Sequence, residues 1–303
     1  MKPSSTWTVI DDGSTPAARI AARTIRKRLQ AVWTILPKAC RHAGASEEVH
    51  QLRVATRRAL AALAAFEKLL PEKRRAWFEK QLRRLRRAAG EARDLDVLTD
   101  RLQGDASGRT ARGRLVAMLS RQRIVSRQPI RDRYERLLEA DWPARVERLL
   151  EPLASEDRHG RFGDYARRRF RRLVGRFFET ADRPMRSADE LHAFRIEGKK
   201  LRYSLEIFAT VFPAEVRGRC YKALERLQQT LGDFTDHAAA ADRFRRWSHE
   251  DAAAAHRDVI ERLRRDEERL ADHARRNFSA WWNDERRSDL RRAFENTLRR
   301  RSA

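Results

Sequence analysis

Cysteine, glycine and proline are all scarce in this 303-residue chain, and each scarcity excludes a class of protein. Two cysteines, Cys40 and Cys220, are too few for a disulfide framework, which fits a reducing cytoplasm. Twelve glycines and nine prolines argue against a turn-rich all-β fold. The small apolar run Ala59–Phe66 is far shorter than the roughly 18 residues of a membrane span, and residues 1–12 lack the apolar core of a secretory signal. We therefore expect a soluble cytoplasmic protein.

Motifs of metal and nucleotide chemistry are missing from the sequence as well. It has no HExxH, no EF-hand loop and no CxxC. Asp94, Asp96, Asp236 and His237 could be combined into a metal site, but no known metal-binding motif supports one. It has no GxxxxGK[ST] or GxGxxG loop in which backbone amides could hold a nucleotide phosphate. We expect no catalytic residues, no metal and no cofactor.

Positive charge is what the sequence has in excess. Its 68 Lys and Arg residues stand against 44 Asp and Glu, which gives a formal net charge of +24, while 41% hydrophobic residues exclude simple disorder. Such a charge attracts nucleic acid, an anionic membrane surface or another phosphate polymer. Only 9 of the 68 cations are Lys, so an Arg-rich codon bias is the alternative explanation. The positions of the cations along the chain must therefore distinguish a binding function from codon bias.

The apolar residues recur at helical spacing almost throughout. The pattern predicts an all-α fold with helices over about Ala17–Leu36, Ser46–Pro71, a segment ending at Gly90, a short continuation to Leu102, Arg114–Leu138, Pro143–Leu153, Asp164–Thr180, Ala188–Phe212, Pro213–Leu231, Asp233–Trp247 and Asp251–Trp281. Gly104–Gly113 is the predicted loop of the first half, and the polar stretch Ser155–Gly163 is the predicted boundary between halves. The basic tail Arg286–Arg301 is either a last helix or a frayed arm.

An internal repeat relates the two halves. HQLRVATRR at residues 50–58 matches HAFRIEGKK at residues 192–200, an offset of 142. The same offset aligns further positions: Leu63 with Leu205, Phe66 with Phe208, Pro71 with Pro213, Gly90 with Gly232 and Asp94 with Asp236. Amphipathic helices can share a period by chance, but a proline and a glycine at one fixed spacing indicate duplication. We predict two similar helical halves packed about a pseudo-twofold axis.

The repeated segment carries a row of cations. On a helix of 3.6 residues per turn, His50, Arg53 and Arg57 form one stripe beside the apolar face. A solvated helix face with mixed charges is the alternative, but no acid occurs between His50 and Arg58. Unneutralised cations at this spacing repel one another, and a polyanion along the stripe would relieve the repulsion. Arginine suits phosphate because its planar fork donates two hydrogen bonds.

Three motifs give a family resemblance. HxxRVATRR at residues 50–58, GEARDLDVL at residues 90–98 and HxxRIxxKKLRY at residues 192–203 resemble those of the CHAD family, the conserved histidine α-helical domain. The resemblance implies two four-helix-bundle-like halves related by a pseudo-twofold axis, with a basic central channel that binds inorganic polyphosphate, and association with polyphosphate granules. The triphosphate tunnel domain of some members is not expected, because its ExExK signature is missing.

The resemblance also implies the extent of the domain and its binding residues. It places the domain at residues 14–301, with repeats at 14–154 and 158–301 after a flexible segment 1–13. Carried over by matching position, the polyphosphate-binding residues are His50, Arg53, Arg57, Arg58, His192, Arg195, Lys199, Lys200, Arg202 and Tyr203. Further basic residues can either line the same channel or be plain surface cations: Arg19, Arg23, Arg26, Arg83, Arg87 and Arg93.

The sequence thus favours non-catalytic binding of polyphosphate by a cytoplasmic, granule-associated protein. Three alternatives stay open. The first is a general binder of nucleic acid or other phosphate-rich anions, although no helix-turn-helix, RNA-recognition or zinc-finger signature is visible. The second is an enzyme that acts on polyphosphate or nucleoside triphosphates. The third is an accessory scaffold for polyphosphate-metabolising enzymes, with partners that the sequence does not name.

Overall fold

Apolar residues at every third or fourth position give each segment one face to bury, and the chain folds into helices accordingly. The computed structural model describes residues 13–41, 46–102, 111–154, 160–185, 187–213, 216–249 and 256–299. In these ranges the regular structure consists of eleven α-helices with short 3-10 and π-helical turns, and no strand occurs among them beyond one isolated bridge. The prediction of an all-α fold is confirmed.

The chain divides into two compact units. The N-unit is Ala18–His159; the C-unit is Gly160–Ala303, and Gly13–Ala17 group with it. The helices of the N-unit are α1 (Ala17–Ala39, whose first residue groups with the C-unit), α2 (Ser46–Ala65), α3 (Glu72–Leu102), α4 (Ala111–Val125), α5 (Gln128–Glu139) and α6 (Trp142–Leu150). The helices of the C-unit are α7 (Phe162–Ala181), α8 (Ala188–Phe208), α9 (Tyr221–Ser248), α10 (Arg257–Trp281) and α11 (Asp284–Arg299).

Each unit has a core of its own. In the N-unit one face of α1 is fully buried, and Trp142 packs edge-on against Phe78 with ring centroids 4.9 Å apart. In the C-unit the ring of Phe194 lies 5.2 Å from that of Phe177 and 5.4 Å from that of Trp282. Such aromatic pairs each contribute about 0.5–1.5 kcal/mol beyond the burial of their surface. Trp7 lies outside the described residues.

Two predicted helix breaks, at Gly90 and Gly232, are wrong. Helix α3 continues through Gly90 to Leu102, and α9 continues through Gly232 to Ser248. A glycine costs a helix interior only about 1 kcal/mol relative to alanine. Burial of the helix on both sides of the glycine offsets that cost: Ala89 and Ala92 are buried in α3, and Leu231 and Phe234 in α9.

The predicted single helix over Arg114–Leu138 is also wrong, because the chain breaks at Ser126 and Arg127 between α4 and α5. Pro129 lies in the first turn of α5, where its missing N–H would be unpaired in any case. A proline in the middle of a continuous helix would instead remove an internal hydrogen bond. The sequence contained this signal, and the helical spacing around it obscured it.

The remaining boundaries agree with the sequence more closely. The basic tail is a helix up to Arg299, rather than a frayed arm, and Gly113 lies in α4. Three predicted segments lie largely outside the described residues. Of the flexible segment 1–13 only residue 13 is described. The described residues also leave out residues 104–110 of the predicted loop Gly104–Gly113 and residues 155–159 of the predicted boundary Ser155–Gly163. After Pro213, α9 is preceded by a π-helical turn over Val216–Cys220.

Neither cysteine has the surroundings of a reactive thiol. Burial raises the pKa of Cys40 to about 11 and that of Cys220 to about 12, so both remain protonated at neutral pH. Across the described ranges, no helix combines the length and the hydropathy that crossing a membrane requires.

Candidate anion-binding stripes

The N-unit brings four arginines and one histidine together on two neighbouring helices. His50, Arg53 and Arg57 lie on α2, and Arg86 and Arg93 lie on α3, which packs beside it. We call these five residues the N-stripe. The sequence placed the first three on one helix face and gave Arg93 as a possible channel residue. The structure puts both Arg93 and Arg86 beside the three residues of α2.

Burial and the neighbouring basic groups lower the pKa values of three N-stripe residues. Burial and then the guanidinium of Arg93 lower the pKa of His50 below its ordinary value. Burial and then Arg57 lower the pKa of Arg53, and the same two causes lower the pKa of Arg86. These directions are those of basic groups that lie close together, and His50 and Arg53 are half-buried as well. An anion bound along the stripe would reverse them.

Arg53 is held in place by the backbone of α3. Its Nη1 lies within reach of two carbonyl oxygens, at 3.4 Å from that of Ala89 and 3.3 Å from that of Gly90. A carbon added at Gly90 would lie 3.6 Å from this Nη1, so the guanidinium packs directly over the glycine. The glycine that was predicted to end a helix therefore provides the surface on which a stripe arginine rests.

The C-unit repeats this arrangement on α8 and α9. We call His192, Arg195 and Lys199 of α8 the C-stripe. A carbon added at Gly232 would lie 3.6 Å from Nη2 of Arg195, which is the distance found between Gly90 and Arg53. Asp236 also faces this guanidinium, with 3.9 Å between Oδ1 and Nη2. The 142-residue repeat is therefore present in the local packing of both units as well as in the sequence.

In the two units, different side chains donate a hydrogen bond to the backbone carbonyl of the stripe arginine. In the N-unit the hydroxyl of Thr56 donates to the carbonyl of Arg53 at 2.9 Å. Gly198 replaces this threonine in the repeat, and the amide of Gln228 donates to the carbonyl of Arg195 at 3.1 Å. A carbon at position 198 would lie only 2.6 Å from Gln228 Nε2, so the glycine makes room for the amide.

Gly198→Ala is therefore expected to lower the free energy of unfolding by about 1–3 kcal/mol, the range found for overpacked cores. The added methyl would meet Gln228 Nε2 at 2.6 Å and Leu227 Cδ2 at 2.9 Å. Denaturant unfolding measures the change. Gly175→Ala is the matched control, because a carbon added there meets no atom within 4 Å beyond its chain neighbours and the backbone of its own helix turn. It should stabilise α7 by up to about 1 kcal/mol; equal effects at both sites would refute the packing argument.

Arg202 and Tyr203, predicted as binding residues, lie in a polar cluster of the C-unit. Arg202 donates to the hydroxyl of Tyr221 at 3.1 Å and faces Glu206, whose side chain is 1% exposed. Its guanidinium also covers the ring of Tyr203 at 4.8 Å. Burial works to lower the pKa of Arg202, but the phenol and carboxylate oxygens around it raise that pKa above its ordinary value.

The other predicted residues differ in their surroundings. Lys200 pairs with Glu197, one turn earlier on α8, and His192 is exposed. Arg26 makes a two-pronged pair with Glu147, at 3.2 and 2.6 Å, and Arg83 pairs with Glu79 at 2.8 Å. Arg19, Arg23 and Arg87 are exposed on their helices, and Arg58 is half-buried on α2.

Two carboxylates near the repeat motifs have basic partners. Asp96 accepts from Arg123 at 2.7 Å and from Arg127 at 3.4 Å, and His237 pairs with Glu267. Among the residues that the structure describes, no three His, Cys, Asp or Glu side chains are grouped to hold a metal ion. Sequence reasoning missed Glu206, Gln228 and Gly198, since none of the three belongs to a feature that the two repeats share.

The chain resembles known proteins both in sequence and in fold. The sequence model of the CHAD domain matches residues 23–245. Two curated proteins of Mycobacterium tuberculosis, the uncharacterized proteins MT2285 and Rv2226, are each 30% identical over 220 residues, which is 64% of this chain. The chain spans only 40% of the length of these two relatives.

Two solved structures share the fold. The crystal structure of the CHAD domain from the plant Ricinus communis has a TM-score of 0.73 at 21% identity, and the match covers 92% of this chain and 96% of that one. PptA from Streptomyces chartreusis has a TM-score of 0.61 at 20% identity, with 88% and 99% covered. At these identities the likeness concerns the fold alone. Because the sequence model covers most of the chain, the protein belongs to the CHAD domain family.

Proposed function

We propose that this protein binds inorganic polyphosphate along the N-stripe and the C-stripe, without acting on it chemically. The observation that carries the proposal is the N-stripe itself, where burial and like charges lower the pKa of His50, Arg53 and Arg86 together. A protein that gathers cations at such a cost gains stability when an anion arrives. The channel that the family resemblance implies, and a location at polyphosphate granules, belong to the same proposal.

The spacing of the cations suits a linear anion. Residues 50 and 57 are seven positions apart on α2, which is about 10 Å along a helix that rises 1.5 Å per residue. Successive phosphates of a chain can therefore contact His50, Arg53 and Arg57 at separate positions along the helix. The second stripe on α8 offers a further row of contacts to the same kind of ligand.

The surroundings of the stripes support binding rather than catalysis. Asp96 is held by Arg123 and Arg127, and Glu206 lies at the buried end of the Arg202 cluster. Asp236 faces the C-stripe through Arg195. These carboxylates serve to position arginines, which is the function that we assign to them.

Aromatic side chains favour polyphosphate over single-stranded nucleic acid as the ligand. Binding of unpaired bases relies on exposed aromatic rings on which the bases stack. Tyr203 lies next to the C-stripe, but it is only 6% exposed and its ring is covered by Arg202. In the ranges that the structure describes, no Phe, Tyr or Trp side chain is exposed.

Binding of long polyphosphate tests the proposal directly. The affinity should fall steeply with salt, because every phosphate contact releases a counterion. An excess of single-stranded or duplex DNA should displace little of the bound polyphosphate in a fluorescence anisotropy assay. Ready displacement by DNA would favour the general nucleic-acid binder. Phosphate release in the presence of Mg²⁺ or Mn²⁺ would overturn the assignment of a non-catalytic function.

Lowering the pH should strengthen binding through His50. In the unbound protein its lowered pKa keeps the ring neutral until the pH falls below the ordinary value of about 6.5. A bound anion favours the imidazolium, so binding takes up a proton and the affinity should rise from about pH 7.5 to about pH 5.5. The same lowered pKa makes the unbound fold less stable as the pH falls below about 6.5, because the unfolded chain then takes up a proton that the folded ring does not.

His50→Gln identifies the source of this pH dependence. Glutamine still donates a hydrogen bond but does not titrate, so the variant should bind polyphosphate with a flatter pH profile. Long polyphosphate is the suitable probe, because its internal phosphates keep one charge each throughout the range. An unchanged pH profile in the variant would show that His50 does not titrate on binding.

A further inference from the structure

A separate basic cavity lies between α7 and α11 of the C-unit. It measures about 350 Å³ and is lined by Asp164, Arg167, Arg168, Arg171, Leu298 and Arg299. None of these residues belongs to either stripe or to the repeat motifs. Binding along the stripes therefore does not account for this cavity.

The charges around the cavity are largely unneutralised. In the part of the chain that the structure describes, Arg168, Arg171 and Arg299 take part in no ion pair and no side-chain hydrogen bond. Other arginines of α11 do pair: Arg291 binds Asp182 at 2.7 Å and Arg292 binds Asp289. Four arginines therefore face one carboxylate, that of Asp164, across a concave surface.

One wall of the cavity is held in position. Arg167 donates to the carbonyl of Val211 at 3.4 Å, and its guanidinium lies 5.8 Å from the ring centroid of Phe212. These contacts fix the inner arginine while Arg168 and Arg171 stay exposed on the same helix. A site with one fixed and several adjustable guanidinium groups can close around an anion with two hydrogen bonds from each fork.

We propose that this cavity binds a short phosphate anion of the size of a diphosphate or triphosphate. Its volume of about 350 Å³ is near the lower end of the range for small-molecule sites, so it suits a compact ligand. Its four arginines suit an anion of several charges, and Leu298 is the one apolar residue in the lining. The inference does not rest on polyphosphate binding by the stripes.

Calorimetric titration with tripolyphosphate at low salt tests the proposal. The starting protein is the full chain with four stripe residues replaced by alanine: Arg53, Arg57, Arg195 and Lys199. It is expected to bind one tripolyphosphate, and adding Arg168→Ala, Arg171→Ala and Arg299→Ala should weaken that binding at least about tenfold. Arg167 is left in place because it bonds to the backbone.

The matched control removes three other exposed arginines of the C-unit, Arg176, Arg262 and Arg276. It loses the same charge and should keep the binding. If both triple variants bind alike, or if the starting protein binds no tripolyphosphate, the cavity is not an anion site. A failure of the stripes would show separately, as long polyphosphate binding that survives the four stripe substitutions.

Discussion

Polyphosphate binding is expected to weaken by at least about 100-fold when four stripe cations are replaced together by alanine: Arg53, Arg57, Arg195 and Lys199. A hydrogen bond to a charged group contributes about 1.5–3 kcal/mol, so several lost contacts exceed that factor even without full additivity. The salt dependence of the remaining binding should also become shallower, because fewer counterions are released. Binding is measured with long polyphosphate at moderate salt, and helical content by circular dichroism.

A control with the same loss of charge separates the stripes from the general excess of cations. Arg121, Arg136, Arg262 and Arg276 are exposed on α4, α5 and α10, away from the stripe helices. Their replacement by alanine should weaken binding only slightly. If the stripe variant binds as tightly as this control, the stripes are not the binding site and the net charge of +24 acts diffusely.

The two stripes should contribute unequally. The segment from His50 to Val97 holds 13 Lys and Arg against 6 Asp and Glu, whereas its repeat from His192 to Ala239 holds 8 against 6. The difference lies partly on α3, where Arg86 corresponds to Gln228 of α9. The double variant Arg53→Ala/Arg57→Ala should therefore lose more affinity than the equivalent pair of substitutions in the C-stripe.

Asp96→Asn is expected to have the largest effect on stability, a loss of about 3–5 kcal/mol in the free energy of unfolding. Asp96 is fully buried and accepts from Arg123 at 2.7 Å and Arg127 at 3.4 Å. Arg127 is itself 2% exposed, at the break between α4 and α5. Removal of the negative charge leaves a buried guanidinium without its counter-charge, which is the costly half of a broken ion pair. Denaturant unfolding measures the loss.

Two further variants test the cause of this loss. Asp100→Asn, at an exposed position one turn later on α3, should change stability by less than about 0.5 kcal/mol. Replacing Arg127 by methionine in the Asp96→Asn background should recover much of the loss, because apolar groups of similar volume can substitute for a buried ion pair. A double variant less stable than Asp96→Asn would show that the unpaired charge is not the cause.

Most of the fold was predictable because the apolar spacing and the repeat are both strong signals. The errors occurred where the intrinsic preference of one residue competed with packing. Gly90 and Gly232 were predicted to end helices, but a glycine penalty of about 1 kcal/mol is smaller than the burial that continues the helix past it. The error at Pro129 was the reverse: a continuous helix was predicted, because the helical spacing of the apolar residues concealed a real break between α4 and α5.

The candidate site was predictable along a single helix and less so between helices. The spacing of His50, Arg53 and Arg57 placed them on one face of α2, but no period in the sequence shows that Arg86 and Arg93 of α3 lie beside them. Arg202 is a residue that the sequence motif assigned to the binding site but whose contacts the motif did not predict. It continues the basic motif in sequence, while in the C-unit it contacts Tyr221 and the buried Glu206. Such contacts depend on how two helices pack, which spacing along one helix does not specify.

A crystal structure of the full chain with bound polyphosphate tests the central claim most directly. The stripes predict consecutive phosphates against Arg53 and Arg57 on α2 and against Arg195 and Lys199 on α8, within hydrogen-bond distance of the guanidinium and ammonium groups. Phosphates that bind elsewhere, with both stripes contacting only solvent, would contradict the account.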